Sequence, residues 1–138
     1  EPRRSLATAR RVLKPGGYLV IEVPKLGSLT HRLFGRRWPG VQAPQHTVLY
    51  DAPNLARLVR EEGFEVVEHL SWGAFPSYFY LFTGLCFLFA RGRGIDLRRL
   101  TFPYFAGLFL LSPLLLFEKR LNLSMQTVLA RRHLTDAP

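Results

Sequence analysis

The four residues Lys14-Pro15-Gly16-Gly17 stand where a helical pattern ends and a strand pattern begins, and they restrict the fold more than any other feature of the sequence. Before them, Leu6, Ala9 and Leu13, with Val12 beside them, recur at helical spacing, while Arg4, Arg10 and Arg11 fall on the opposite side. Proline cannot continue a hydrogen-bonded helix, and two glycines permit the positive backbone angles of a tight turn. After them, Tyr18 to Val23 is a nearly continuous apolar run of branched side chains closed by Pro24. Such a run predicts a strand covered on both faces, as in a parallel sheet.

The rest of the pattern continues an α/β order. Lys25 to Tyr50 has no clean period and contains Gly27, Gly35, Pro39, Gly40 and Pro44, which predicts a long loop with one helical turn around Ser28 to Phe34. Asp51 is a candidate N-cap, Pro53 suits a first turn, Leu55, Leu58 and Val59 form an apolar stripe, and Gly63 ends the helix. Phe64 to Trp72 reads as a second strand through Val66, Val67 and Leu70. Near the end, Leu121, Leu123, Met125, Thr127 and Leu129 alternate with Asn122, Ser124 and Gln126, the period of a strand with two unlike faces. The domain expectation is residues 1–73 plus 119–133 as one α/β unit, 74–118 as an apolar helical hairpin inserted into it, and 134–138 as a tail.

That insertion holds much of the apolar mass, in two blocks, Ala74 to Ala90 and Leu100 to Phe117. As a helix each block reaches about 25 Å, short of the roughly 30 Å hydrocarbon core of a bilayer. If both blocks crossed, the intervening Arg91, Arg93, Arg98 and Arg99 would lie on the far side, against the positive-inside tendency. A re-entrant or interfacial hairpin is the preferred expectation. A buried helical cap over a site, or a dimer contact, is the alternative. A hydrophobic content of 48% rules out a disordered chain, and a net charge of +9 directs attention to anionic partners. Its basic residues are scattered and not interleaved with aromatics on a recognition element, which argues against nucleic acid. The single cysteine, Cys86, permits no intrachain disulfide and no cysteine-based metal site, which fits a reducing cytoplasm.

The passage Ala9-Arg10-Arg11-Val12-Leu13-Lys14-Pro15-Gly16-Gly17-Tyr18-Leu19-Val20-Ile21-Glu22-Val23-Pro24 resembles the helix, turn and fifth strand of class I S-adenosylmethionine-dependent methyltransferases. Phe34-Gly35-Arg36-Arg37-Trp38 followed by Pro44-Gln45-His46, and Glu61-Glu62-Gly63-Phe64-Glu65-Val66-Val67, match the same family. The resemblance covers residues 2–72 and, less specifically, 121–132. It implies the back half of a Rossmann-like three-layer sandwich, with the last strand antiparallel and inserted between the two before it. The implied cofactor is S-adenosylmethionine. The glycine-rich turn and the acidic residue that grip it in the family are not in this sequence, and Gly92 and Gly94 do not replace them because no strand precedes them. The chain is therefore expected to be a fragment that binds the cofactor weakly or not at all by itself.

In the family the Lys25–Tyr50 loop folds over the acceptor, which makes His46 the candidate catalytic residue for proton handling; a loop-shaping hydrogen bond is its other reading. Arg36 and Arg37, with Lys25 and Arg32, are candidates for holding a phosphate on the acceptor, or form a solvated surface. Trp38 and Phe34 either wall the acceptor or anchor the loop. Glu22, near the carboxyl end of its strand, either faces the site or is an edge carboxylate that faces solvent or pairs with an arginine. His31 is expected to be solvated, and no His pair has metal-ligand spacing joined to carboxylates, so no metal is expected. The sequence thus predicts a methyltransferase acting on a small-molecule, lipid or membrane-carried acceptor at the cytoplasmic face. The alternative is a non-catalytic, membrane-associated binding module.

Overall fold

The computed structural model describes residues 1–41, 48–89 and 101–134. Helix α1, Pro2–Val12, starts on a proline that has no N–H to leave unsatisfied. It ends at the Lys14–Gly17 turn, closed by Gly17 N–H donating to Lys14 O at 2.8 Å. Of the two glycines only Gly16 takes a positive φ, 75°, the left-handed angle that a side chain disfavours. Strand β1, Tyr18–Pro24, follows at once. Helix α2, Leu29–Phe34, and a 3-10 turn at Gly35–Arg37 occupy the loop region where one helical turn was expected. Helix α3, Ala52–Glu61, is capped by Asp51, whose carboxylate accepts from Asn54 N–H at 2.9 Å, and Gly63 ends it.

Strands β2, Phe64–Leu70, and β3, Met125–Arg132, complete a three-stranded sheet of order β1-β3-β2, with β3 antiparallel to both neighbours. This is the arrangement expected of the last strand. Its start differs. Glu118–Leu121 is a short helix, numbered α6 after the two insertion helices, and Asn122 takes a left-handed φ of 48°, so alternation becomes strand only at Met125. A β-bulge lies between Val66 and Glu68, adding Val67 to β2 without a partner on β3.

Helices α1 and α3 cover one face of this sheet. Leu6, Leu55, Leu58 and Val59 pack on Phe64, Val128 and Ala130, with Leu19, Ile21 and Val23 beside them. Here the period-two reading of β3 is reversed. Gln126, Val128, Ala130 and Arg132 form its fully buried side, while Thr127, Leu129 and Arg131 are half-buried. A central strand takes its burial from what packs on the sheet, which polarity alternation does not encode. The other face is open at one end, with Tyr18 57% and Val20 64% exposed. At the other end it is met by the chain entering the insertion, where Glu22 accepts and Thr127 donates hydrogen bonds and Met125 is buried. Among the described residues the expected cover on both faces of β1 is found only at its carboxyl end, because α1 and α3 both pack on the same side of the sheet.

In the insertion, α4 spans Ser77–Phe89 and α5 spans Thr101–Leu115. Helix α4 runs through Gly84, and α5 through Gly107 and Pro113. No described helix is long and apolar enough to cross a membrane.

Candidate functional site: the Trp38 corner

The carboxyl ends of β1 and β2 and the start of β3 meet at a corner built around Trp38, which is 1% exposed. Ser28 opens α2 by accepting from His31 N–H, and the first amides of the helix, Leu29 and Thr30, donate to Asn122 O and Leu123 O at 3.0 Å. Backbone donors at this helix start are thereby satisfied by β3's leading segment, which sews the loop to the sheet. Thr30 lies at the centre. Its hydroxyl donates to Leu123 O at 2.9 Å, accepts from the Trp38 indole N–H at 2.8 Å, and is 2.8 Å from Ser124 Oγ. Because the Thr30 proton is committed to Leu123, Ser124 is the donor of that pair. Ser28, Thr30 and Ser124 are all buried, so a satisfied polar network specifies how the loop seats.

The indole packs against Tyr80 of α4, with ring centroids 5.7 Å apart, and meets the edge of His31 at 5.2 Å. Phe34, Met125, Leu49, Leu81, Leu85 and Leu88 complete the apolar cluster. Helix α4 approaches closely enough to place Gly84 against the Phe34 ring, where any Cβ would overlap it. His31 is half-buried and not a solvated group, since its Nδ1 accepts from Gly27 N–H at 3.2 Å, which puts the ring proton on Nε2.

Glu22 takes neither of its two expected roles. Its two carboxylate oxygens accept from Ala74 N–H and Phe75 N–H, both at 2.8 Å, and so clamp the chain as it enters α4. Lys25 is likewise drawn away from the arginines, with Nζ 3.3 Å from Ser71 Oγ and burial pushing its amine below the usual lysine range. Arg32, Arg36 and Arg37 remain exposed on the outer side of the corner, and Arg36 and Arg37 make no hydrogen bond or ion pair among the described residues. His46 lies outside the described residues. Both flanks of its segment are held at the corner, Val41 N–H on Trp38 O at 3.0 Å and Leu26 N–H on Tyr50 O at 2.9 Å. Gln126, fully buried, adds a second hold by donating to Tyr50 O at 2.8 Å while its Oε1 meets His69 Nε2 at 3.0 Å.

Sequence reasoning therefore located the arginines and the loop, and missed Thr30, Ser124, His31 and the Gln126–His69 pair. Only the Ser28 cap carried a local signal, a serine three residues before the amide that it caps. Trp38 as acceptor wall does not match its burial; in this arrangement it supports the corner. Among the described residues no group of His, Cys, Asp or Glu is placed to hold a metal ion. A separate concavity of about 420 Å³, lined among others by Arg3, Tyr50, Asn54, Arg57 and Glu61, lies between α1 and α3. Its Arg3 is already paired, with Glu61 at 2.6 Å and with Glu62 at 2.7 Å, and Arg57 lies 3.8 Å from Glu61.

The corner has a pH signature. The Tyr80 hydroxyl is pushed up to about 12, by burial first and by the Glu22 charge second. An unfolded tyrosine ionises near 10. Between these values the unfolded chain has lost a proton that the folded chain keeps, so the stability tied to the neutral phenol is complete below about pH 10 and is lost as pH rises toward 12. The loss amounts to about 2–3 kcal/mol. Urea denaturation at pH 9 and pH 11 should show a steeper alkaline fall for the parent than for Tyr80→Phe; equal slopes would remove Tyr80 from the corner.

No curated protein matches the chain. A family model described as a methyltransferase domain matches residues 1–69, from α1 through all but the end of β2. Since that match takes in half of the 138 residues, including the helix, turn and strand around Lys14–Gly17 and the whole Trp38 corner loop, the chain belongs to the methyltransferase domain family.

Proposed function

We propose that the chain is the acceptor-side, carboxy-terminal half of a class I S-adenosylmethionine-dependent methyltransferase whose acceptor is lipidic or membrane-carried. The observation that carries this reading is the β1-β3-β2 order with an antiparallel central β3, found together with the family match. The open sheet face around Tyr18 and Val20 and the outer edge of β1, unpaired among the described residues, support it, because a nearly continuous apolar strand is suited to the interior of a larger covered sheet.

The described residues do not by themselves fit the cofactor. The one carboxylate at the end of β1, Glu22, is committed to Ala74 and Phe75, and the end of that strand is filled by the Thr30–Trp38–Ser124 network. What this chain contributes is placement of the acceptor. Arg36 and Arg37 bind an anionic group by paired N–H donors, the Trp38 corner holds them in position, and His46 takes the proton released from a hydroxyl acceptor. The protein works at the cytoplasmic face of a membrane.

The test is methyl transfer from labelled S-adenosylmethionine to a lipid extract by the full-length protein. Arg36→Ala/Arg37→Ala should raise the acceptor KM roughly tenfold, the equivalent of one charge-assisted contact, with cofactor affinity unchanged. His46→Ala should lower kcat more than cofactor affinity. Full-length protein that neither binds nor turns over S-adenosylmethionine would sink the reading. That outcome favours a non-catalytic membrane-associated module, a second reading to which the commitment of Glu22 lends support.

A further inference from the structure

Helix α5 is the least accounted for element of the molecule. None of its fifteen residues is charged, and none of its described side chains is buried. Phe102 is 83% exposed, Phe105 62% and Leu110 75%, followed by Leu116 at 82% just beyond the helix. At 100° per residue, the exposed positions Phe105, Phe102, Leu110 and Pro103 sweep about 160° of the circumference. Tyr104 projects from the remaining side, and its ring lies 5.3 Å from both Tyr78 and Phe82 of α4.

That breadth distinguishes between possible covers. A protein partner buries a stripe bounded by a polar and charged rim, whereas α5 carries no charged residue on any side. A bilayer surrounds an apolar helix on every free side at once. Fifteen residues rise only about 22 Å, too little to cross the hydrocarbon core. Beyond the apolar stretch, Glu118 is taken up by the Ser77 hydroxyl and is followed by exposed Lys119 and Arg120, and the Lys119 ammonium sits 4.9 Å from the centre of the Trp72 ring. A cation beside a tryptophan is the chemistry of the headgroup boundary, and the net charge of +9 favours an anionic leaflet.

We propose that α5 is immersed in a single leaflet of an anionic membrane and that α4 is the strut joining it to the Trp38 corner. Three contacts make the joint firm: Glu22 on Ala74 and Phe75, the Ser77 hydroxyl on the Glu118 carboxylate, and Gly84 against Phe34. Immersion of α5 thus fixes the pose of the corner, and of Arg36 and Arg37, relative to the headgroups. This deepens the reading of a membrane-carried acceptor and rests on it only for what is delivered, since vesicle binding is measured without methyl transfer.

The experiment is flotation of the full chain with phosphatidylcholine vesicles, with and without one third phosphatidylglycerol. Expected are co-flotation with the anionic vesicles that survives 0.5 M salt, and a loss of at least tenfold in partition for Phe102→Ser/Phe105→Ser. Tyr18→Ser/Val20→Ser, on the open sheet face, should float like the parent. In a Cys86→Ser background, a fluorophore on Phe105→Cys should be quenched by nitroxides high in the acyl chain more than by those at the bilayer centre. Protein that stays unfloated with both vesicles overturns the proposal. So does Phe105→Cys disulfide crosslinking between two copies that vesicles do not suppress, which would make α5 a dimer contact. Vesicle binding without methyl transfer upholds immersion while sinking the catalytic reading, and methyl transfer without vesicle binding does the reverse.

Discussion

Trp38→Ala is expected to destabilise the protein by about 3–5 kcal/mol, the range for removing a large buried aromatic side chain. The ring is 1% exposed, lies between Tyr80 and His31, and joins a loop, a strand start and an insertion helix, so no neighbour can collapse into its place without moving another element. The polar share of that cost is separable. Trp38→Phe retains most of the apolar volume, leaves a small void, and deletes the indole N–H that donates to Thr30, whose hydroxyl keeps Leu123 O and Ser124. That variant should cost about 1–2 kcal/mol, the net worth of one hydrogen bond plus a small void. Urea denaturation of the three proteins measures both. Equal losses for Ala and Phe would mean that the network and not the packing holds the corner, and a loss below about 1 kcal/mol for Ala would place Trp38 outside the core.

Gly84→Leu comes next in size, at about 3 kcal/mol, the upper end of the overpacking range. Leucine is the better helix former by up to about 1 kcal/mol, so a helix free of tertiary contact would be stabilised by the same change. The sign of the effect therefore reports whether α4 is docked. Destabilisation is expected because the added side chain must enter the space of the Phe34 ring. Phe34→Ala opens that space, and the double variant should be more stable than the sum of the two single losses predicts, a coupling that contacting residues show and distant ones do not. Strict additivity, or a stabilised Gly84→Leu, would detach α4 from the corner.

Both experiments probe a joint that sequence patterns alone do not announce. The apolar blocks predicted helices, but their high apolar content hides which side meets the protein, since almost every side is apolar. In the structure Tyr80, Leu81, Leu85 and Leu88 of α4 face the corner, and α5 leaves most of its surface exposed. Part of the hairpin thus packs against the Trp38 cluster, and part carries the surface from which membrane contact is proposed. Arg36 and Arg37 were legible as candidates because charge and loop position are local properties. Glu22 was misjudged because its partners, the amides of Ala74 and Phe75, lie 52 and 53 residues away along the chain.

By itself the sequence determined where α1 ends, where β1 begins and where α3 begins and ends. Pro15-Gly16-Gly17, the Asp51 cap with Pro53, and Gly63 act within a turn of the residues they govern, and the apolar periods of α1 and α3 select their buried sides before any contact forms. The order of the strands was legible through resemblance and not through physics. Tertiary structure decided the rest: that β3 begins at Met125, that its polar Gln126 is buried and its Leu129 only partly so, and that Thr30 rather than a charged group holds the corner together. These outcomes depend on hydrogen bonds and packing between residues far apart in sequence, such as Thr30 with Ser124 and Tyr50 with Gln126, which exist only once the sheet has formed.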